Sequence, residues 1–195
     1  MVMAALTILP ISIFALLKWY KQEYMQLPVK GGEAHRIADF SLTNQFGEQV
    51  TLRNWENKIV VADFFFTHCP VICPKMTKSL KRVQQTYSKE DGLSFNSFSV
   101  DPQRDSVGQL QRYAKQMAIH GNWNLLTGDK KIIYSLARKS FLLTATEGDG
   151  GAEDFIHSEL QVLIDRQKRI RGYYNGTVPD QVDRLVNDIA RLLAE

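Results

Sequence analysis

The chain has 195 residues, 44% hydrophobic, 23% charged and 10% aromatic, which excludes disordered and collagen-like chains and admits one sizeable domain with or without a tail. Its net charge is +3, but 24 Lys and Arg interleave with 21 acids and form no long basic run, so nothing supports nucleic-acid binding. Two cysteines are too few for a disulfide scaffold, and their position carries the information.

Met1 to Leu17 contains no charged residue, and Lys18, Trp19 and Tyr20 follow at once. As a helix these seventeen residues reach about 25 Å, and the interfacial Trp19 and Tyr20 with a snorkelling Lys18 extend the span to about 30 Å. No Ala-x-Ala-like cleavage site follows, so residues 1–20 are predicted to be an uncleaved transmembrane anchor. Lys18, Lys21, Lys30 and Arg36 all lie on its C-terminal side. Charge bias alone would hold the following domain in the cytoplasm, whereas the thiol chemistry below argues for the opposite side. Residues 21–38, broken by Pro28 and the pair Gly31–Gly32, read as a polar linker, and 39–195 as the domain.

Within the domain, Phe40–Leu42 and Gln49–Leu52 are predicted short strands joined by a turn at Asn44–Gly47. Ile59–Phe66 is nearly all apolar, the pattern of a strand buried on both faces. Met76, Leu80, Val83 and Tyr87 fall at helical spacing, with Lys75, Lys78, Lys81 and Arg82 on other faces. Leu93–Val100 is a further strand, and Asp105 or Ser106 caps a helix through Leu110, Tyr113 and Met117. A strand at Trp123–Leu126, a helix at Lys130–Phe141 and a Gly-rich acidic loop at Thr146–Asp154 follow. A hairpin of Leu160–Asp165 and Ile170–Tyr174 and an amphipathic helix from Val182 to Leu193 close the chain. Strands alternating with helices predict an α/β sheet with parallel strands, and the closing ββα unit resembles the end of a thioredoxin fold. The fold class is therefore α/β and thioredoxin-like, with extra N-terminal strands and an insertion loop.

Both cysteines lie in Thr67-His68-Cys69-Pro70-Val71-Ile72-Cys73-Pro74, between the buried strand and the helix. Sites in open α/β sheets form at the carboxyl ends of strands, and a helix N-terminus favours a thiolate. Dithiol–disulfide exchange normally employs C-x-x-C, one residue shorter than this spacing. A structural zinc site needs a second Cys or His pair, which is not found. Copper is suited by two thiolates plus an imidazole, and His157, between the acidic loop and the hairpin, is the natural third ligand. Thioredoxin-like proteins normally place a cis-proline just before this hairpin, but no proline occurs between Pro102 and Pro179.

Three segments carry a family resemblance. Phe65-Phe66-Thr67-His68-Cys69-Pro70-Val71-Ile72-Cys73-Pro74 resembles the F-x-T-x-C-P-x-x-C-P of the Sco/SenC family of membrane-tethered copper chaperones. Ser99-Val100-Asp101-Pro102-Gln103-Arg104-Asp105 resembles its S-V-D-P-x-R-D. Ile156-His157-Ser158, with Leu163-Ile164-Asp165, resembles the H-S and L-I-D around its metal histidine. The resemblance implies a domain that binds one copper ion through Cys69, Cys73 and His157. It also implies help in assembling the binuclear copper centre of cytochrome c oxidase, by copper delivery, thiol reduction or both. The partners implied are the oxidase's copper-accepting subunit, a thiol reductant protein and, through the N-terminal helix, the membrane. Many members carry an acid where this chain has Val71, and an aspartate where it has Ile156, which bears on affinity through the groups that orient ligands.

Asp63, six residues before Cys69, stands at the offset of the buried acid of thioredoxins. Buried, it should have a raised pKa and could exchange protons with a cysteine; alternatively it points to an open face or caps a backbone group. Asp101 and Asp105 read as turn and cap residues. The protein is expected to be mainly a metallochaperone, its domain outside a bacterial inner membrane, on the periplasmic or equivalent side, where a dithiol meets a reductant. A thiol–disulfide oxidoreductase, needing both cysteines but not His157, is the alternative. A peroxiredoxin-like peroxidase fits less well, because Thr67 stands two residues before Cys69, not three.

Overall fold

The computed structural model describes residues 10, 12–14, 16, 26–143, 156 and 158–195. The predicted anchor over 1–20 and the acidic loop at 146–154 lie almost wholly outside these residues. Among the described residues no helix is long and apolar enough to cross a membrane.

Seven strands form one sheet: β1 (Ser41–Asn44), β2 (Gln49–Thr51), β3 (Ile59–Phe65), β4 (Leu93–Ser99), β5 (Trp123–Thr127), β6 (Leu160–Ile164) and β7 (Ile170–Asn175). Their spatial order is β2-β1-β5-β4-β3-β6-β7. β3, β4 and β5 run parallel, while β1, β6 and β7 pair antiparallel with their neighbours. The helices are α1 (Ile72–Thr86), α2 (Val107–Met117), α3 (Lys130–Ser135) and α4 (Pro179–Leu193).

Every residue of β3 is buried, as expected of a central strand covered on both faces. Alternation sends Ile59, Val61 and Phe65 to a core shared with α1, α2 and α4, and Val60, Ala62 and Phe64 to a second core with Trp55, Tyr134 and Phe141. α1 buries Met76, Leu80 and Val83, the stripe read from the sequence. α4 starts with Pro179 in its first turn, where the missing N–H costs nothing, and buries Val182, Leu185, Ile189 and Leu192.

Three sequence readings change. The helix expected over Lys130–Phe141 is α-helical only to Ser135; Leu136–Ser140 forms a π turn. The cap of α2 is Ser106, whose side chain accepts from the Gln109 amide at 3.3 Å, and Asp105 is fully buried elsewhere. Part of the stretch read as a linker is docked: Leu27 and Ile37 are buried, and the Lys30 amide donates to the Ile170 carbonyl at 2.8 Å. The Arg171 guanidinium, itself buried, donates to the Leu27 carbonyl at 2.6 Å and binds Asp165 and Glu195.

Register decides which end of the sheet bears the site. Val60 pairs with Ile164 and Ala62 with Val162, so β6 begins beside the C-terminal end of β3. The segment 26–38 meets the hairpin at its other end, near Lys168 and Ile170. The chain therefore enters the domain at the pole opposite the cysteines.

Candidate metal and thiol site

The backbone leaves β3 at Phe65, turns through residues 66–69 with the Cys69 amide donating to the Phe66 carbonyl at 3.3 Å, and enters α1 at Ile72. Pro74 falls in the first turn of α1, where it removes no intrahelical bond. This geometry carries Cys69 to the mouth of the helix, where the Cys73 amide donates to its sulfur at 3.3 Å. The Cys69 sulfur thus partners one of the amides that a helix N-terminus leaves unsatisfied. Both residues are free cysteines, 7% and 4% exposed, in the core shared with α1, α2 and α4.

The two thiols are electrostatically unequal. Burial pushes Cys69 up, but hydrogen bonds from the Cys73 amide and thiol and from the Val71 and Ile72 amides outweigh it and leave its pKa below the ordinary thiol value. Burial drives Cys73 up to about 12, against a backbone hydrogen bond with Phe66; its hydrogen bond to Cys69 and the nearby charges of Cys69 and Asp63 add to the rise. Cys69 is therefore the more readily ionised and more nucleophilic thiol of the pair, beside a Cys73 that stays protonated at neutral pH.

Asp63 points into the same core and is 2% exposed. Burial raises its carboxyl to about 6, and a hydrogen bond with the Ser97 side chain moderates the rise. Its Oδ1 is buried without a hydrogen-bond partner, an arrangement that favours the protonated acid. The open-face alternative for this residue is thereby set aside. Tyr113 of α2 packs against Phe65 with ring centroids 5.4 Å apart, and its hydroxyl lies 3.0 Å from the Thr77 hydroxyl. Desolvation holds the Tyr113 phenol above its usual range, and the neighbouring Cys73, Asp63 and Cys69 reinforce this.

His157 lies outside the described residues. Its neighbours are held: Ile156 is buried in the second core, and the Ser158 hydroxyl accepts from the Leu160 amide at 3.2 Å. They lead into β6 at the edge where β3 ends. His68 is exposed, 3.2 Å from the Thr67 hydroxyl and 3.9 Å from Asp105. Among the described residues, no three His, Cys, Asp or Glu side chains converge as a metal cage, so the soft donors there are the two sulfurs.

Sequence reasoning took Asp105 for a cap residue and gave Thr67 no role beyond its place in the cysteine segment. The turn leading to Cys69 is held by Thr67, whose amide and hydroxyl both donate to the Asp105 carboxylate. The signal available was the pair Ser99 and Asp105, polar residues at and just beyond the end of a buried strand.

A family model described as SCO1/SenC matches residues 29–194. The SCO1 protein homolog of Bacillus subtilis (strain 168) is 30% identical over 158 residues, covering 80% of this chain and 81% of that protein. A solved structure of BsSco, described as a member of the Sco family of cytochrome c oxidase assembly proteins with a disulfide switch, superposes with a TM-score of 0.69 at 29% identity. That match covers 84% of this chain and 96% of the other. The copper-bound ScoI of Bradyrhizobium japonicum superposes with a TM-score of 0.65 at 26% identity, covering 82% of this chain and 99% of its own.

Proposed function

We propose that this chain, which belongs to the SCO1/SenC family, is a copper-binding assembly factor for cytochrome c oxidase. Cys69, Cys73 and His157 would hold one copper ion per domain, for transfer to the oxidase's copper-accepting subunit. The observation that carries this reading is the pair of free cysteine sulfurs in one core, the Cys73 amide donating to the Cys69 sulfur at a helix N-terminus that stabilises its thiolate. Two thiolates beside an imidazole make a soft donor set that suits copper. The copper-bound relative of similar fold supports the same assignment, and the relative described by oxidase assembly supports the cellular role. The apolar stretch at residues 1–17 supports tethering to a membrane; the dithiol, which needs a reductant protein to stay reduced, favours the extracytoplasmic side over the cytoplasmic one that charge bias alone would give.

A second reading, thiol reduction, is favoured by the inequality of the two thiols. Cys69 thiolate would attack a partner disulfide, releasing one partner thiol; Cys73, deprotonated, would then resolve the mixed disulfide, releasing the other and leaving Cys69–Cys73 oxidised. Asp63 is suited to accept the Cys73 proton.

The test is anaerobic copper loading of the reduced full chain. One copper per chain is expected in the wild type, with loss of most of it in Cys69→Ser, in Cys73→Ser and after oxidation to the disulfide. A wild-type chain that retains no copper overturns the reading. In cells, His157→Ala that preserves oxidase assembly while Cys69→Ser abolishes it selects thiol reduction.

A further inference from the structure

Asp105 is buried to the last atom, yet no Lys or Arg is paired with its carboxylate among the described residues; the exposed imidazole of His68 stands 3.9 Å away. A buried carboxylate persists only when its oxygens are hydrogen-bonded, and here every donor comes from the walls of the site. Oδ2 accepts from the Thr67 amide at 3.1 Å and the Ser99 hydroxyl at 2.6 Å, and Oδ1 accepts from the Thr67 hydroxyl at 2.5 Å. Ser99 ends β4, the strand paired along the whole of β3, while Thr67 stands two residues before Cys69. Gln109 of α2 donates to the Thr67 hydroxyl at 3.0 Å and is itself held by Arg112 at 2.7 Å. The Asp105 backbone is fixed in turn, its amide donating to the Asp101 carbonyl at 2.9 Å.

We propose that Asp105 is a positioning residue: its buried carboxylate clamps the Thr67 backbone and so sets where the Cys69 sulfur stands against the N-terminus of α1. The proposal rests on the reading of Cys69 as the reactive and copper-binding sulfur. Without the clamp, the Thr67 amide loses its acceptor, and the bonds from the Cys69 amide to Phe66 and from Gln109 to the Thr67 hydroxyl do not fix that peptide, so the sulfur loses its fixed relation to the Cys73 amide. Charge and geometry are separable at this site. Asp105→Asn removes the charge but retains an oxygen for the Thr67 amide and Ser99, while its NH2 can donate to a Thr67 hydroxyl that rotates to accept. Asp105→Ala removes all three acceptor contacts. Thr67→Val is isosteric and removes the hydroxyl while keeping the backbone amide.

Two readouts on the reduced full chain test this, one without metal and one with copper. In the metal-free chain, the rate of Cys69 alkylation by iodoacetamide, resolved from Cys73 by peptide mass spectrometry, should fall at least about threefold in Asp105→Ala as the thiolate loses its amide donors. In Asp105→Asn it should stay within about threefold of wild type. With copper, affinity by chelator competition should drop about tenfold or more in Asp105→Ala, as for other groups that orient ligands. The sulfur-to-copper absorption should shift at the same time. Thr67→Val should fall between, and should add little in the Asp105→Ala background. An Asp105→Ala chain that is merely less stable, with Cys69 reactivity and copper spectrum intact, overturns the proposal; so does Asp105→Asn matching Asp105→Ala in both readouts. If Asp105→Ala does not fold, Thr67→Val with unchanged Cys69 reactivity overturns it. Loss of the alkylation effect refutes the clamp, whereas failure of the wild type to bind copper refutes the functional reading and leaves the alkylation test standing.

Discussion

Replacing Asp63 with Asn should make the protein more stable at neutral pH and nearly neutral in effect at pH 4. Asp63 is buried on the core side of β3, and its carboxyl is raised from 3.8 to about 6. A folded-state acid with a raised pKa contributes stability that is fully present below the unfolded pKa and is lost as pH rises through the folded one. The window of loss therefore runs from about pH 4 to about pH 6. A shift of about two units corresponds to about 3 kcal/mol, which the wild type forfeits by ionising a desolvated carboxylate. Asn at this position keeps an oxygen for Ser97 and carries no charge, so the forfeited stability returns. With a urea slope of about 2 kcal/mol per molar, the midpoint of reduced Asp63→Asn should exceed that of wild type by about 1.5 M at pH 7. The gap should close at pH 4. Urea unfolding of both proteins across pH 4 to 7.5, followed by circular dichroism, measures this directly. Parallel midpoints across that range would refute the picture of a desolvated, proton-exchanging acid. In the same variant, resolution of mixed disulfides by Cys73 should slow, because no nearby base takes its proton, while copper content should hold.

Two other perturbations follow from the geometry. Iodoacetamide at pH 7.5 should modify Cys69 at least about a hundredfold faster than Cys73, since only the former thiolate is stabilised; equal labelling by mass spectrometry would contradict the assigned inequality. Arg171→Met should cost about 3 kcal/mol in chemical unfolding, because it strands a buried Asp165 with less cationic partnership and leaves the Leu27 carbonyl without its donor. That loss should barely change with salt, since the pair is buried, and a cost below about 1 kcal/mol would mean that residues 26–38 are not docked through this guanidinium.

What the sequence made legible is local in origin. The unbroken apolar run of β3 betrays a strand covered on both faces, the spacing of Met76, Leu80 and Val83 betrays the buried stripe of α1, and the dithiol between them falls where a strand ends and a helix begins. These features depend on periodicity, which survives in one dimension. Asp105 was misread because Asp and Ser before a helix are both good caps; the choice between them is made by Thr67 and Ser99, which are 38 and 6 positions away. The docking of Leu27 was invisible for a similar reason. It stands in a short stretch with no helical or strand periodicity, broken by Pro28, and its partner Arg171 lies 144 residues on. The burial of Asp63 was half legible: its place in an apolar strand was plain, but the face it occupies depends on alternation from Ile59, Val61 and Phe65 toward α1.

The most direct measurement of the proposed copper centre is X-ray absorption on the copper-loaded full chain, wild type beside His157→Ala. Two sulfur scatterers and one imidazole are expected in the wild type, and His157→Ala should lose the imidazole signal while keeping the sulfurs. A wild-type spectrum without imidazole scattering, or one that His157→Ala leaves unchanged, would contradict the assignment of Cys69, Cys73 and His157 as the ligands.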